Sequence, residues 1–172
     1  MKYSKTLVLK DGRTCIIRNG TQQDAQGVWD NFVLTHAETE FLTTYPEEVT
    51  YTLEQEEAYL KQKEESDRDG ALLAEVDGKI VGTAGVDSLN AAEKTRHRAH
   101  FGISIAKAWW GLGIGRALAE ACIEWARKAG YTAFLVSAMK RCSGNMSGSI
   151  TITVKPASAP AWVYHRLIIP SG

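Results

Sequence analysis

Two periods in the spacing of apolar residues predict that this chain folds into a sheet flanked by helices. Alternating or short continuous apolar stretches, typical of strands, occur at residues 7–9, 14–18, 71–76, 79–86, 96–105 and 132–136. Helical spacing begins near Thr21 and again at Ile114, and Thr52 begins a more charged helix between them, which we expect to lie on the surface. Asp-Gly pairs at 11–12 and 77–78 predict tight hairpins. Nothing repeats and no linker divides the pattern, so we expect one domain over residues 1–172.

The most informative stretch is WWGLGIGRAL, residues 109–118, which lies between a predicted strand and a predicted helix. Glycines occupy every second position at Gly111, Gly113 and Gly115. The first amides of a helix have no partner within it, and glycines let an anion approach the backbone. We therefore expect a pyrophosphate group at the amides of residues 111–116. The spacing differs from that of a P-loop and from that of a dinucleotide-binding fold, and the alternative is a flexible turn that binds nothing.

This stretch resembles the acetyl-CoA-binding motif of the GCN5-related N-acetyltransferases, Q/R-x-x-G-x-G/A. Gly113 and Gly115 match the motif, whereas Trp110 stands where Arg or Gln is usual. The resemblance covers roughly residues 13–136 and implies an α+β fold with a mixed, mainly antiparallel twisted sheet flanked by helices. It also implies acetyl-CoA as cosubstrate, bound by the backbone of the strand before the turn and by the turn itself. The implied cofactor-binding residues are Ile103, Ile105, Trp110, Gly111, Leu112, Gly113, Ile114, Gly115 and Arg116.

Acetyl transfer to an amine needs a base for the amine and an acid for the leaving thiolate. His97 and His100 on the strand before the turn are candidate bases, with Glu75 and Asp87 as alternatives. Any of them could instead be a hydrogen-bonded structural group. The resemblance implies an acid from a tyrosine on a later helix, but the pattern N-x-x-A-x-x-x-Y is missing here and Tyr164 is the remaining candidate.

In the resembling family the first helix and the loop after it line the acceptor site. We place that loop at residues 36–46, where His36, Glu38, Glu40 and Tyr45 are candidate substrate contacts or simply solvated side chains. The acceptor is expected to be a small-molecule or peptide amine, and assembly as a homodimer stays open.

Composition limits the other partners. The chain has 20 basic and 20 acidic residues and is 44% hydrophobic, so neither nucleic acid nor membrane is an expected partner. Without a signal-peptide pattern or a long apolar run, we expect a cytoplasmic protein. The three cysteines lie far apart, so no metal site is predicted.

The chain changes character after Thr132, where the family pattern stops. We predict an atypical tail over residues 137–172 that ends in two strands, with no helix between Val136 and Ser149. One strand is indicated by the alternation of apolar residues at positions 150, 152 and 154, and residues 162–169 could supply the other. A reading shifted back by one base permits Tyr-Arg-Lys-Ala-Gly-Phe across Thr153 to Ser158, a typical end of the missing helix, although the shifted codons at Ile150 and Ile152 cannot encode apolar residues. The sequence therefore allows an active acetyltransferase, a CoA-binding domain impaired by a frameshift, or, least favoured, a non-catalytic interaction domain.

Overall fold

The computed structural model describes residues 1–38, 52–89, 97–138 and 148–153. Of residues 134–138 and 148–153 it describes only the backbone. The strands in these ranges are Ser4–Val8 (β1), Thr14–Asn19 (β2), Gly70–Val76 (β3), Lys79–Ser88 (β4), Arg98–Ile105 (β5), Ala133–Ala138 (β6) and Gly148–Thr153 (β7). The helices are Ala25–Glu38 (α1), Leu53–Glu65 (α2) and Ile114–Lys128 (α3), with short 3-10 turns at Gln22–Asp24 and Lys107–Trp109.

The strands form one sheet in chain order from β1 to β7. Every neighbouring pair is antiparallel except β5 and β6, which are parallel and are connected through α3. Helix α3 packs on one face of the sheet, and α1 and α2 pack on the other. This arrangement confirms the predicted α+β fold with a mixed, mainly antiparallel sheet between helices.

The larger core lies under α3, because the apolar stripe of this helix faces the middle of the sheet. Leu118, Cys122 and Trp125 are buried there against strand residues such as Ile17 and Val86. Burying side chains of this size contributes about 1.5–3 kcal/mol each. The Trp125 indole N–H also donates to the Arg68 carbonyl at 2.9 Å, so the largest core side chain has its polar atom satisfied. Helix α3 is thereby fixed to the sheet.

Most predicted elements are present, with differences at their ends. The hairpin at Asp77-Gly78 is a two-residue turn with φ of 50° and 76°, as predicted. The turn at Asp11-Gly12 is longer, because the Leu9 N–H donates to the Arg13 carbonyl and encloses three residues.

Two predictions about the helices were wrong. His36 and Glu38 belong to α1 and not to the following loop, since the helix continues to Glu38. Helix α2 is more than a surface helix, because Glu56, Leu60 and Lys63 are buried. Glu40 and Tyr45 lie outside the described residues.

The strand predicted around residues 150–154 is present as β7, which pairs with β6 along its whole length. Residues 139–147 and 154–172 lie outside the described ranges, so the predicted absence of a helix and the second strand of the tail stay predictions.

Candidate functional site

Strands β5 and β6 pair at one end and separate at the other. Their parallel pairing covers Arg98–Phe101 against Ala133–Val136 and then stops. Beyond Phe101, β5 continues to Ile105 paired with β4, while β6 continues to Ala138 paired with β7. The strands therefore splay apart, and the splay opens toward the glycine turn that follows β5.

The ladder between β4 and β5 determines which backbone groups face the splay. The Ala106 N–H donates to the Val81 carbonyl at 3.1 Å, and the Leu89 N–H donates to the Arg98 carbonyl at 3.4 Å. Antiparallel pairs alternate between residues that bond each other and residues whose N–H and C=O point away. Counting from these bonds, Ile103 and Ile105 direct their backbone groups into the splay. The family resemblance implied backbone contacts from these same two residues.

Trp110 closes one end of this row of backbone groups. Its indole N–H donates to the Ile105 carbonyl at 2.8 Å, although the residue is 48% exposed. The N–H of Ile105 and both backbone groups of Ile103 are left facing the splay. The residue that replaces the usual Arg or Gln therefore holds the turn against the strand.

The glycine turn presents the start of α3. Gly113 precedes the helix with φ 101°, and its carbonyl accepts the first helical bond, from the Ala117 N–H at 3.1 Å. The amides of Ile114, Gly115 and Arg116 consequently have no partner within the helix, and the first turn contains no acidic residue. A Cβ on Gly111 or Gly113 would meet no described atom within 4 Å, so the space beside the turn is open to a ligand. This geometry suits a bound anion.

The other predicted turn residues contribute in different ways. The Ile114 side chain is fully buried, so it can offer only its amide. A Cβ on Gly115 would lie 3.2 Å from Ile105 Cδ1, which makes this glycine important for packing as well as access. The Arg116 side chain is 86% exposed and pairs with Glu120 at 2.9 Å, and Leu112 packs against the core.

Sequence reasoning missed the loop between β1 and β2, which touches the glycine turn. The Lys10 N–H donates to the Leu112 carbonyl at 3.4 Å, and the Arg13 guanidinium lies 4.1 Å from the Trp109 ring centroid. Two cationic residues thus lie beside a turn that lacks the usual Arg. No local signal could have revealed them, because they are remote in the chain.

The end of α1 is also fixed to this region. Glu38 Oε2 accepts a bond from the Lys107 N–H at 2.7 Å, just after β5. Helix α1 is therefore attached to the mouth of the splay.

The structure does not bring the two candidate histidines together. His100 is on β5 opposite Asp87 of β4, on the face covered by α1 and α2. His97 precedes β5, and its carbonyl accepts bonds from the Thr132 and Ala133 N–H groups at 2.9 and 3.2 Å. At about 3.3 Å per strand residue, His97 lies roughly 26 Å from Ile105, whereas His100 lies next to the residue where the splay begins.

The carboxylate alternatives are both ion-paired. Glu75 accepts from Arg18 at 2.8 Å on β3, which is separated from β5 by β4. Asp87 pairs with Lys63 on α2. Tyr164 lies outside the described residues. Within the described ranges there is no cluster of potential metal ligands, and no helix there is long and apolar enough to cross a membrane.

Comparison with known proteins agrees with this geometry. Residues 33–141 match the model of the GNAT acetyltransferase family. The chain belongs to this family. Acetyl-CoA is the cosubstrate of GNAT acetyltransferases, and the residues here fit it through the free amides of α3, the open glycine turn and the backbone edge in the splay. No curated protein matches the sequence significantly.

Solved structures show the same fold. The chain is 28% identical to a GNAT acetyltransferase from Streptococcus pneumoniae, with a TM-score of 0.67 over 71% of this chain and 73% of that one. It is 26% identical to a ribosomal-protein-alanine N-acetyltransferase from Brucella melitensis, with a TM-score of 0.61 over 70% and 72%. yncA from Salmonella typhimurium, solved with its cofactor acetyl-CoA, is 15% identical with a TM-score of 0.68 over 84% and 96%.

Proposed function

We propose that this GNAT domain transfers an acetyl group from acetyl-CoA to a primary amine. The observation that carries the proposal is the splay of β5 and β6 directly before a glycine turn whose following helix begins with amides that have no partner within it. The splay offers a backbone edge to the extended pantetheine arm, and the turn offers amides to the pyrophosphate. A thioester bound in this way lies beside the α1 and α2 face of the sheet.

The reaction needs few groups from the protein. The neutral amine attacks the thioester carbonyl, the C–N bond forms, the C–S bond breaks, and the thiolate takes up a proton as it leaves. Backbone N–H groups in the splay, such as those of Ile103 and Ile105, can polarise the carbonyl. We propose His100 as the base that takes the amine proton, directly or through water, in preference to His97 because of its place beside the splay. Tyr164 stays the proposed acid.

The test is a panel of primary amines, with thiol release from acetyl-CoA as the measured quantity. Calorimetry with CoA on the same preparation reports donor binding independently of turnover. The proposal expects micromolar or tighter CoA binding together with thiol release that requires an amine. CoA binding without thiol release from any amine in the panel would reject acetyl transfer and leave donor binding intact.

A second candidate is a CoA-binding domain with impaired turnover. It is favoured by the departure of the sequence from the family pattern after Thr132, where the tyrosine-bearing helix is expected. Its cause would be a change of reading frame in the last 40 or so residues. The coding DNA tests this: a shifted frame that encodes no helix-like sequence with the tyrosine would eliminate the frameshift.

A further inference from the structure

The glycine turn before α3 contains no cation that could pair with a bound pyrophosphate. Residues 109–115 include no basic residue, and Trp110, which stands where Arg or Gln is usual, donates its indole N–H to the Ile105 carbonyl at 2.8 Å. Arg116 follows in the first turn of the helix, but its guanidinium pairs with Glu120 at 2.9 Å. Both phosphates of a pyrophosphate group are negatively charged, and charged donors bind anions more strongly than neutral amides do. The turn therefore leaves a role for a cation from elsewhere in the chain.

The β1–β2 loop, residues 9–13, is attached to the glycine turn at two points. The Lys10 N–H donates to the Leu112 carbonyl at 3.4 Å, which fixes the backbone of Lys10 beside the residues that precede α3. At the other end of the loop, the Arg13 guanidinium lies 4.1 Å from the Trp109 ring centroid, within the range of a cation–π contact. The loop and the turn therefore form one surface, although they are remote in the chain.

The charges within the β1–β2 loop leave Lys10 as its available cation. Arg13 is paired, because its Nε donates to Asp11 Oδ2 at 2.8 Å and its backbone N–H donates to Asp11 Oδ1 at 3.1 Å. Asp11 is thereby engaged by Arg13. Lys10 is exposed and forms no ion pair with any residue in the described ranges. A lysine ammonium is a compact charge on a flexible stem, so Lys10 can reach an anion held at the neighbouring turn.

Another lysine near the turn, Lys107, is in a different environment. Its backbone N–H donates to Glu38 Oε2 at 2.7 Å, so a carboxylate lies directly beside it. Glu38 is the last residue of α1, which packs on the face of the sheet opposite to α3. The amides that face a pyrophosphate belong to α3, and the loop that contacts the residues before α3 contains Lys10. Lys10 is therefore better placed than Lys107 to act together with these amides.

We propose that the Lys10 ammonium binds the pyrophosphate of CoA and supplies the cation that the glycine turn lacks. This inference rests on the donor binding described under the proposed function and assigns part of it to the β1–β2 loop. The contact between Arg13 and Trp109 and the backbone bond from Lys10 hold the loop against the turn. Because Lys10 is exposed, its ion pair adds to the binding by the amides of α3 and does not replace it.

The test compares binding of CoA and of dephospho-CoA, which keeps the pyrophosphate but lacks the 3′-phosphate, by calorimetry. Lys10→Gln is expected to weaken both ligands by the same factor, about five-fold, as for the loss of one exposed ion pair. The loss should shrink at high salt, because salt screens exposed charges. Lys10→Arg keeps the charge and should bind both ligands within about two-fold of the parent. Lys10→Gln keeps the backbone N–H to Leu112, so its melting temperature without ligand should equal that of the parent.

Two control variants remove the same charge elsewhere. Lys61→Gln changes an exposed residue of α2, on the face opposite to α3, and Lys107→Gln changes the other lysine near the turn. Both should bind CoA like the parent. The proposal is overturned if Lys10→Gln binds both ligands like the parent, if either control loses as much affinity, or if the loss occurs with CoA but not with dephospho-CoA, which would assign Lys10 to the 3′-phosphate. A parent that binds neither ligand would reject donor binding and this inference together. Ligand binding without thiol release would instead count against acetyl transfer alone.

Discussion

Replacing Gly113 with valine separates the role of the glycine turn in CoA binding from its role in folding. Gly113 has φ 101°, a conformation that a β-branched residue adopts only with strain of roughly 1–3 kcal/mol. Its Cβ would meet no described atom, so the folded chain has room for the side chain. The bound pyrophosphate would have no room beside this side chain, because the valine would occupy the space in front of the first amides of α3.

The expected loss of affinity follows from the hydrogen bonds that are displaced. A bond to a charged group contributes about 1.5–3 kcal/mol, and moving the pyrophosphate away from two amides costs about 3 kcal/mol or more. Because about 1.4 kcal/mol is a factor of ten, we expect the dissociation constant for CoA to rise at least about 100-fold. Calorimetry with CoA measures this change.

Gly78→Val is the matched control. Gly78 also has a positive φ, 76°, and open space around its Cβ, but it lies in the hairpin between β3 and β4. Both variants should lower the melting temperature by a similar amount, about 2–12 °C for this strain in a chain of this size. Only Gly113→Val should lose affinity for CoA. If it binds CoA within three-fold of Gly78→Val, recognition of the pyrophosphate by these amides is refuted.

Three further variants test the other contacts. Trp110→Phe removes the indole donor to the Ile105 carbonyl but keeps an aromatic ring, and calorimetry should show a loss of CoA affinity below about ten-fold. A loss as large as that of Gly113→Val would make Trp110 a direct ligand of CoA. The hydrogen bond from Arg18 holds the pKa of Asp24 below its usual range. The ionised Asp24 therefore stabilises the folded chain above pH about 3.9, and this contribution to the free energy of unfolding is lost as the pH falls through the folded-state pKa of Asp24. Asp24→Asn should accordingly lower the free energy of unfolding near pH 7 by about 1.5–3 kcal/mol, and the difference from the parent in urea titrations should shrink below that pH; a difference independent of pH would contradict this. His100→Gln should lower turnover at saturating acetyl-CoA, with CoA affinity unchanged, whereas His97→Gln should not; the reverse result would assign His97 as the base.

The local sequence pattern was sufficient to predict the secondary-structure elements of the donor site. Alternating glycines after an apolar strand and before an amphipathic stripe predict the turn and the start of α3, because φ preferences and helix periodicity act within a few residues. The Asp77-Gly78 hairpin was predicted for the same reason. The hairpin at Asp11-Gly12 was predicted correctly, but its turn is longer than the predicted tight turn, because the length of a hairpin loop depends on the register in which the two strands pair.

The sequence by itself therefore determined the strands, the helices, the glycine turn and, through that turn, the family and its cosubstrate. Tertiary structure alone decided where β5 leaves β6 and that Lys10 reaches Leu112. It also decided that Asn31 is buried with no hydrogen-bond partner among the described residues, although it lies on a helix that the pattern predicted. The physical reason is that pairing register and burial arise between segments distant in the chain, whereas propensity and periodicity report only on neighbours.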